Sequence, residues 1–145
     1  MGIRVLHTYE QIDGDQWGQL ARESSTATWW QTKEAYQLFS SLPDYRVEVV
    51  GVADEDALCG VAVIIRPQAR TRVGQWLSRR AVIMGGVMVS DGISAEAYRR
   101  LMAAVVEQTS DVIYVEIRNL CDHSAWRGMI AQDGWQYVPH LNIRI

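Results

Sequence analysis

Glu116 and Arg118 are the residues of this 145-residue chain whose types and spacing most directly offer chemistry. They alternate with Val115 and Ile117, so in an extended segment both charges leave from one face and the aliphatic side chains from the other. Asn119 follows at the carboxyl end of the same segment. In an open α/β sheet that end is where side chains line a crevice. One reading places Arg118 and Asn119 against an anionic or carbonyl-bearing substrate, with Glu116 as orienter or base. The other is a buried Glu–Arg pair, because a charge persists inside a protein only when paired. His140, between Pro139 and a final strand, is the second candidate base. Its ordinary pKa lies near neutrality, as deprotonating an amine requires, although a lone histidine without an evident partner also reads as structural.

Three further features carry weaker signals. Gly85-Gly86 closes an apolar run and lets backbone approach a ligand, or simply forms a turn or bulge. Trp29-Trp30 places two indoles side by side that cannot share one helical face. Trp30 is the candidate groove-lining residue, and packing of both in the core is the alternative. Arg66, Arg70, Arg72, Arg79 and Arg80 form the one basic cluster, either a solvated loop or a contact for phosphate. The His and Cys residues lack metal-ligand spacing, so no metal is expected. No Gly-x-Ser-x-Gly elbow or Cys–His–Asn signature points to covalent catalysis.

The elements that position these residues follow from periodicity and caps. Ile3–His7 reads as an opening strand. Asp13 caps a helix carrying Trp17, Leu20 and Ala21 inward. Gln16 is placed to close a capping box, and Ile12 and Trp17 to form a hydrophobic staple. The helix breaks at 24–28. Thr32 caps a second helix with Tyr36, Phe39 and Leu42 on one face, ended by Pro43. Tyr45–Ala53 and Leu58–Arg66 form a hairpin across Asp54-Glu55-Asp56, and the run 60–65 suits a strand covered on both faces. Ala81–Met84 is a further strand. Ser94 caps a long helix over 94–109, Val112–Ile117 is a strand, and Asp122 caps a helix ended by Gly134. Trp135–Val138 and Leu141–Ile145 read as closing strands. An alternating tail after an antiparallel run predicts an α/β (α+β) domain over 1–145, a central mixed sheet with helices on both faces.

Composition bounds the function. The chain is 48% hydrophobic with six Trp and six Tyr, enough to bury one core, and its net charge of −3 gives no footprint for DNA. No membrane span or leader is expected, and Cys59 and Cys121 read as reduced thiols, which predicts a cytoplasmic protein.

The element order resembles the acetyltransferase (GNAT) fold. Trp29–Glu34, the hairpin Val47–Ile65, Ala81–Gly86, Tyr114–Leu120 and Gly134–Asn142 together are similar to the first lobe of the FemAB-related peptidoglycan bridge-forming aminoacyltransferases. That resemblance implies a transferase lobe acting on an envelope-precursor or polysaccharide-like amine. It also implies a partner, either a second lobe or a second copy of the chain, to complete the donor site. Two alternatives stand beside it: a non-catalytic ligand-binding or homodimerising module, and a single-lobe acetyl-CoA-dependent N-acetyltransferase. An ordinary acetyltransferase holds the CoA pyrophosphate on a Gln/Arg-x-x-Gly-x-Gly/Ala loop opening a helix. Only Gln11-Ile12-Asp13-Gly14 begins to match it, with Gln16 at the small-residue position, so no cofactor is expected. Aminoacyl-tRNA and acyl-CoA both stay open as donors.

Overall fold

The computed structural model describes residues 2–68, 79–121 and 123–136. Its elements run β1 (Ile3–Leu6), α1 (Gly14–Glu23), α2 (Lys33–Ser40), β2 (Tyr45–Asp54), β3 (Ala57–Pro67), β4 (Arg80–Gly85), β5 (Met88–Val89), α3 (Ala95–Gln108), β6 (Tyr114–Asn119) and α4 (Arg127–Gln132), with short 3-10 turns at Tyr9–Gln11, Trp29–Gln31 and Ser124–Trp126. The sheet order is β1-β2-β3-β4-β6, with β5 on β3. Among the described residues the pairings are antiparallel except β4 with β6.

The β2–β3 hairpin is the centre of the sheet. Its turn is tight because Glu55 and Asp56 both take positive φ, 49° and 65°, as a two-residue hairpin loop demands. Val61 to Ile64 are buried on both faces, as their uninterrupted apolar run predicts. Neighbouring residues feed opposite layers. Val49, Val61 and Val63 pack with Trp17 and Leu20 of α1. Val50, Ala62 and Ile64 pack with Tyr98, Leu101 and Val105 of α3. Helices therefore cover both faces of a mixed sheet, as expected.

Most caps form where the sequence puts them. Asp13 accepts from the N–H groups of Asp15 and Gln16, Thr32 from Ala35 and Ser94 from Ala97. Ile12 and Trp17 are both buried as the staple requires. Gly134 at φ +93° ends α4, with Gly134 N–H donating to Ala131 and Trp135 N–H to Ile130, a Schellman pair. Several expectations need correction. Gln16 does not close a box with Asp13; its Oε1 accepts from Leu58 N–H at 2.7 Å, 42 residues away. β6 starts at Tyr114, not Val112, because Val112 N–H is taken by Thr109 in the turn after α3. Leu42 lies beyond α2 and is exposed. Asp122, the second half of the proposed strand over 135–138 and all of 141–145 lie outside the described residues, and Trp135 and Gln136 are not in a strand. Cys59 is a buried thiol and Cys121 is half-buried.

Arg66 leaves the basic cluster for a structural role. Its side chain, 9% exposed, pairs with Glu48 of β2. It donates through Nη1 to both Asp111 oxygens (2.8 and 3.0 Å) and through Nη2 to the Gln108 carbonyl at 2.7 Å. The end of α3 is thus riveted to the sheet. Arg70 and Arg72 lie outside the described residues, and Arg80 is exposed at the start of β4. Removing the guanidinium leaves the part-buried Glu48 carboxylate with only Gln108 Nε2 and a 4.0 Å contact to Arg46. Arg66→Ala should lower the unfolding free energy in urea by roughly 2–4 kcal/mol. A second prediction concerns alkali. Burial pushes the Cys59 thiol up from 9.0 to about 11, so the unfolded chain loses this proton first. Stability should fall as pH rises through that interval and level off above it. In Cys59→Ala the urea midpoint should fall less steeply over the same interval.

The candidate site at the parting of two strands

β4 and β5 form one line along β3, interrupted at Gly85-Gly86. An unbroken ladder continued from Ile65↔Val82 would set Val61 against Gly86; Val61 instead pairs with Met88. The diglycine therefore absorbs two extra residues as a bulge. On the other side, β4 stays in register with β6 up to Gly85↔Asn119, and β5 does not pair with β6 at all. The sheet opens there.

Both glycines are required by geometry. Their φ values are +77° and +87°, where L side chains are strained. A Cβ at Gly85 would lie 2.5 Å from Thr28 Oγ1 and 3.2 Å from Trp30 Cβ, and one at Gly86 would lie 2.2 Å from Asn119 Oδ1. Four of the residues singled out by sequence, Trp30, Gly85, Gly86 and Asn119, thus meet at one point. Asn119 Oδ1 is buried there and has no hydrogen-bond partner among the described residues, an acceptor left over at the point where the strands part.

Glu116 and Arg118 leave β6 from the opposite face to Val115 and Ile117, which pack toward α3. They form an ion pair, Arg118 Nε to Glu116 Oε1 at 2.9 Å, but the pair is not buried: the side chains are 48% and 43% exposed. The hydrogen bond that Arg118 donates to Glu116, followed by the charge of that carboxylate, holds the Arg118 guanidinium above its ordinary pKa. Arg118 Nη1 also reaches Met84 Sδ at 3.9 Å. The two indoles separate in role. Trp30 is half-buried against Phe39 and Trp29 is 48% exposed, so the core does not hold both. His140 lies outside the described residues.

Sequence reasoning missed Gln31. Its side chain is fully buried, and Nε2 donates to the carbonyls of Thr26 (3.1 Å), Gly85 (2.9 Å) and Gly86 (3.1 Å). Oε1 accepts from Thr28 N–H and from Thr28 Oγ1, and the Gln31 carbonyl accepts from Trp17 Nε1 at 2.8 Å. The available signal was Thr28-x-x-Gln31, the capping-box spacing, one motif downstream of the Asp13–Gln16 pair that was read instead.

The segment opening α3 does not suit a pyrophosphate. Asp91 receives Ser25 N–H and Oγ, which lower its pKa, and Glu96 occupies the first turn. Two acids oppose a phosphate at that helix start. Among the described residues no cluster of three or more His, Cys, Asp or Glu could hold a metal ion. No helix among them is long and apolar enough to cross a membrane.

No family model and no curated protein matches this chain. Solved structures do. A ribosomal-protein-alanine N-acetyltransferase from Brucella melitensis biovar Abortus 2308 superposes with a TM-score of 0.58 at 13% identity, covering 99% of this chain and 98% of its own. A GNAT family acetyltransferase from Staphylococcus aureus subsp. aureus USA300_TCH1516 gives 0.55 at 11%, with full coverage of both chains. A transcriptional regulator from Bacillus halodurans C-125 gives 0.61 at 11%, covering 99% and 98%. The chain therefore has the GNAT acetyltransferase fold. The match extends over whole single-lobe structures, and nothing in it points to FemAB-related proteins in particular.

If the meeting of Gly86 with Asn119 shapes the opening, steric and torsional costs must separate. Gly86→Ala should destabilise by about 2–4 kcal/mol, of which roughly 1–3 kcal/mol is the left-handed backbone. In the Asn119→Ala background the same change should cost less, leaving chiefly the backbone share, as a double-mutant cycle in urea will show.

Proposed function

We propose that this chain transfers an acyl group to a primary amine, and that it does so as a single lobe. The observation that carries this reading is the opening between β5 and β6 at Gly85-Gly86, with the buried, unpartnered Asn119 Oδ1 at its mouth. The fold supports it, and one structure of that fold is by name a ribosomal-protein-alanine N-acetyltransferase. An attacking amine offers N–H donors, and Asn119 Oδ1 is an acceptor without one. The amine nitrogen would attack the acyl carbonyl carbon, forming the C–N bond. The bond to the leaving oxygen or sulfur then breaks, and that atom takes the electron pair and a proton. Glu116 or His140 removes the proton from the amine, Arg118 meets the carbonyl or an anionic group, and Trp30 covers the apolar side. Backbone donors at the strand break would stabilise the tetrahedral oxygen.

The acyl donor is an activated ester or thioester. No cofactor is assigned to the start of α3, given Asp91 and Glu96. The FemAB resemblance supports an envelope-precursor or amino-polysaccharide amine as acceptor. A second reading, a module that self-associates instead of catalysing, is favoured by the exposure of Trp29 and Leu38, 48% and 47%. Sedimentation decides it: a dimer that dissociates in Trp29→Ser supports association through this face.

Transfer is tested by mass spectrometry of a panel of primary amines incubated with the protein and acetyl-CoA, an acetyl ester or an aminoacyl ester. Acylated product should appear, and Asn119→Ala should lower kcat/KM by about tenfold or more. Undiminished transfer by both Asn119→Ala and Arg118→Gln would remove the site from this opening. No transfer from any donor would sink the reading.

A further inference from the structure

A strand edge that points its N–H and C=O into an opening is a ready binding line for an extended, amide-bearing ligand, which joins it as an added strand. β5 has such an edge. Ser90 N–H donates to Cys59 on β3, so the neighbouring Val89 turns its own N–H and C=O the other way, toward the side β6 has left. There they meet this chain's own residues. Val89 N–H donates to Thr26 Oγ1 at 3.0 Å, and the Val89 carbonyl accepts from Thr26 Oγ1 at 3.3 Å and from Ser24 Oγ. Further along, Gln31 Nε2 takes the carbonyls of Gly85 and Gly86. Outside, Ser25 is tied to Asp91 through both its N–H and its hydroxyl. Thr26 and Gln31 are buried, at 3% and 0% exposure.

We propose that the 24–31 segment is an internal strap that fills the ligand line along β5. It makes with side chains the hydrogen bonds that an extended amide-bearing arm, such as the pantetheine of CoA or a peptide, would make with its backbone. The lobe consequently rejects ligands of that shape, and a donor meets the site only through its acyl group at the Gly86–Asn119 end. This deepens the acyl-transfer reading and rests on it for the donor; the closure of the β5 edge rests on geometry alone. Gln31 and Thr26 are positioning residues, since neither reaches the reacting atoms.

The test is an NMR titration of the full chain with CoA, acetyl-CoA and pantetheine, followed at the amides of Thr26, Val89 and Asn119, with hydrogen exchange measured in parallel. In the wild type, millimolar pantetheine or CoA should leave Thr26 and Val89 unmoved. Saturable shifts there would overturn the proposal. In Thr26→Val, exchange at Val89 should quicken by about tenfold or more while amides of the β2–β3 hairpin keep their protection. Unchanged Val89 exchange would also overturn it. If Thr26→Val does not fold, Asp91→Asn loosens the strap from its exposed anchor and should give a smaller acceleration, about threefold, at the same amide; no acceleration there counts against the strap. Failure of the wild type to transfer any acyl group rejects the transferase reading alone, and the exchange and titration results still decide the strap.

Discussion

One primary amide holds together the part of this protein that differs from a plain sheet. A regular strand sends successive carbonyls to opposite sides, yet those of Gly85 and Gly86 both meet Gln31 Nε2. That arrangement exists only with the backbone reversed at both residues. A buried amide is costly unless its donors and acceptors are matched, and here every one finds a partner in Thr26, Thr28, Gly85 or Gly86. The side chain and the break therefore stabilise each other: without the break Gln31 is stranded, and without Gln31 the Gly85 carbonyl keeps only the long bond from Leu120 N–H at 3.5 Å.

The two ends of the sheet are secured differently. At one end, charge does the work: Arg66 joins β3, Glu48 and the turn after α3. At the other, the neutral hydrogen bonds of Thr26 and Gln31 hold the opening, and charge stays at the surface, in the Glu116–Arg118 pair and in the Asp91 carboxylate that anchors Ser25. Neutral donors and acceptors are screened little by salt, whereas an exposed ion pair is screened readily. The middle belongs to the β2–β3 hairpin, whose buried aliphatic residues serve both helical layers and so couple the two ends.

What the sequence revealed follows the distance over which each interaction acts. The hairpin was legible because an acidic turn sits between two Val- and Ile-rich runs. The caps at Asp13, Thr32 and Ser94 and the stop at Gly134 were legible because each acts within a turn. The candidate site was half legible: alternation along β6 placed Glu116 and Arg118 on one face, and Gly85-Gly86 marked a break. It did not show that the ion pair is exposed, since exposure depends on α1 and α2 covering the neighbouring strands and not this one. Gln16, Arg66 and Gln31 were misread or missed for a common reason. Their partners lie 42, 45 and 54 residues away, and a polar side chain paired at that range looks, in sequence, like any surface residue.

The diglycine has a consequence for how such a site persists over time. Its shape is stored in two backbone torsions and one buried amide, so only a few letters of the sequence are bound by it. Around those letters, strands need only stay apolar and helices amphipathic, and drift is free to exchange one aliphatic for another. On the acyl-transfer proposal, change in what the opening accepts then has a short route, through Asn119 and Arg118, neither of which belongs to the buried clusters of the hairpin. Architecture is inherited conservatively while recognition is left open to revision.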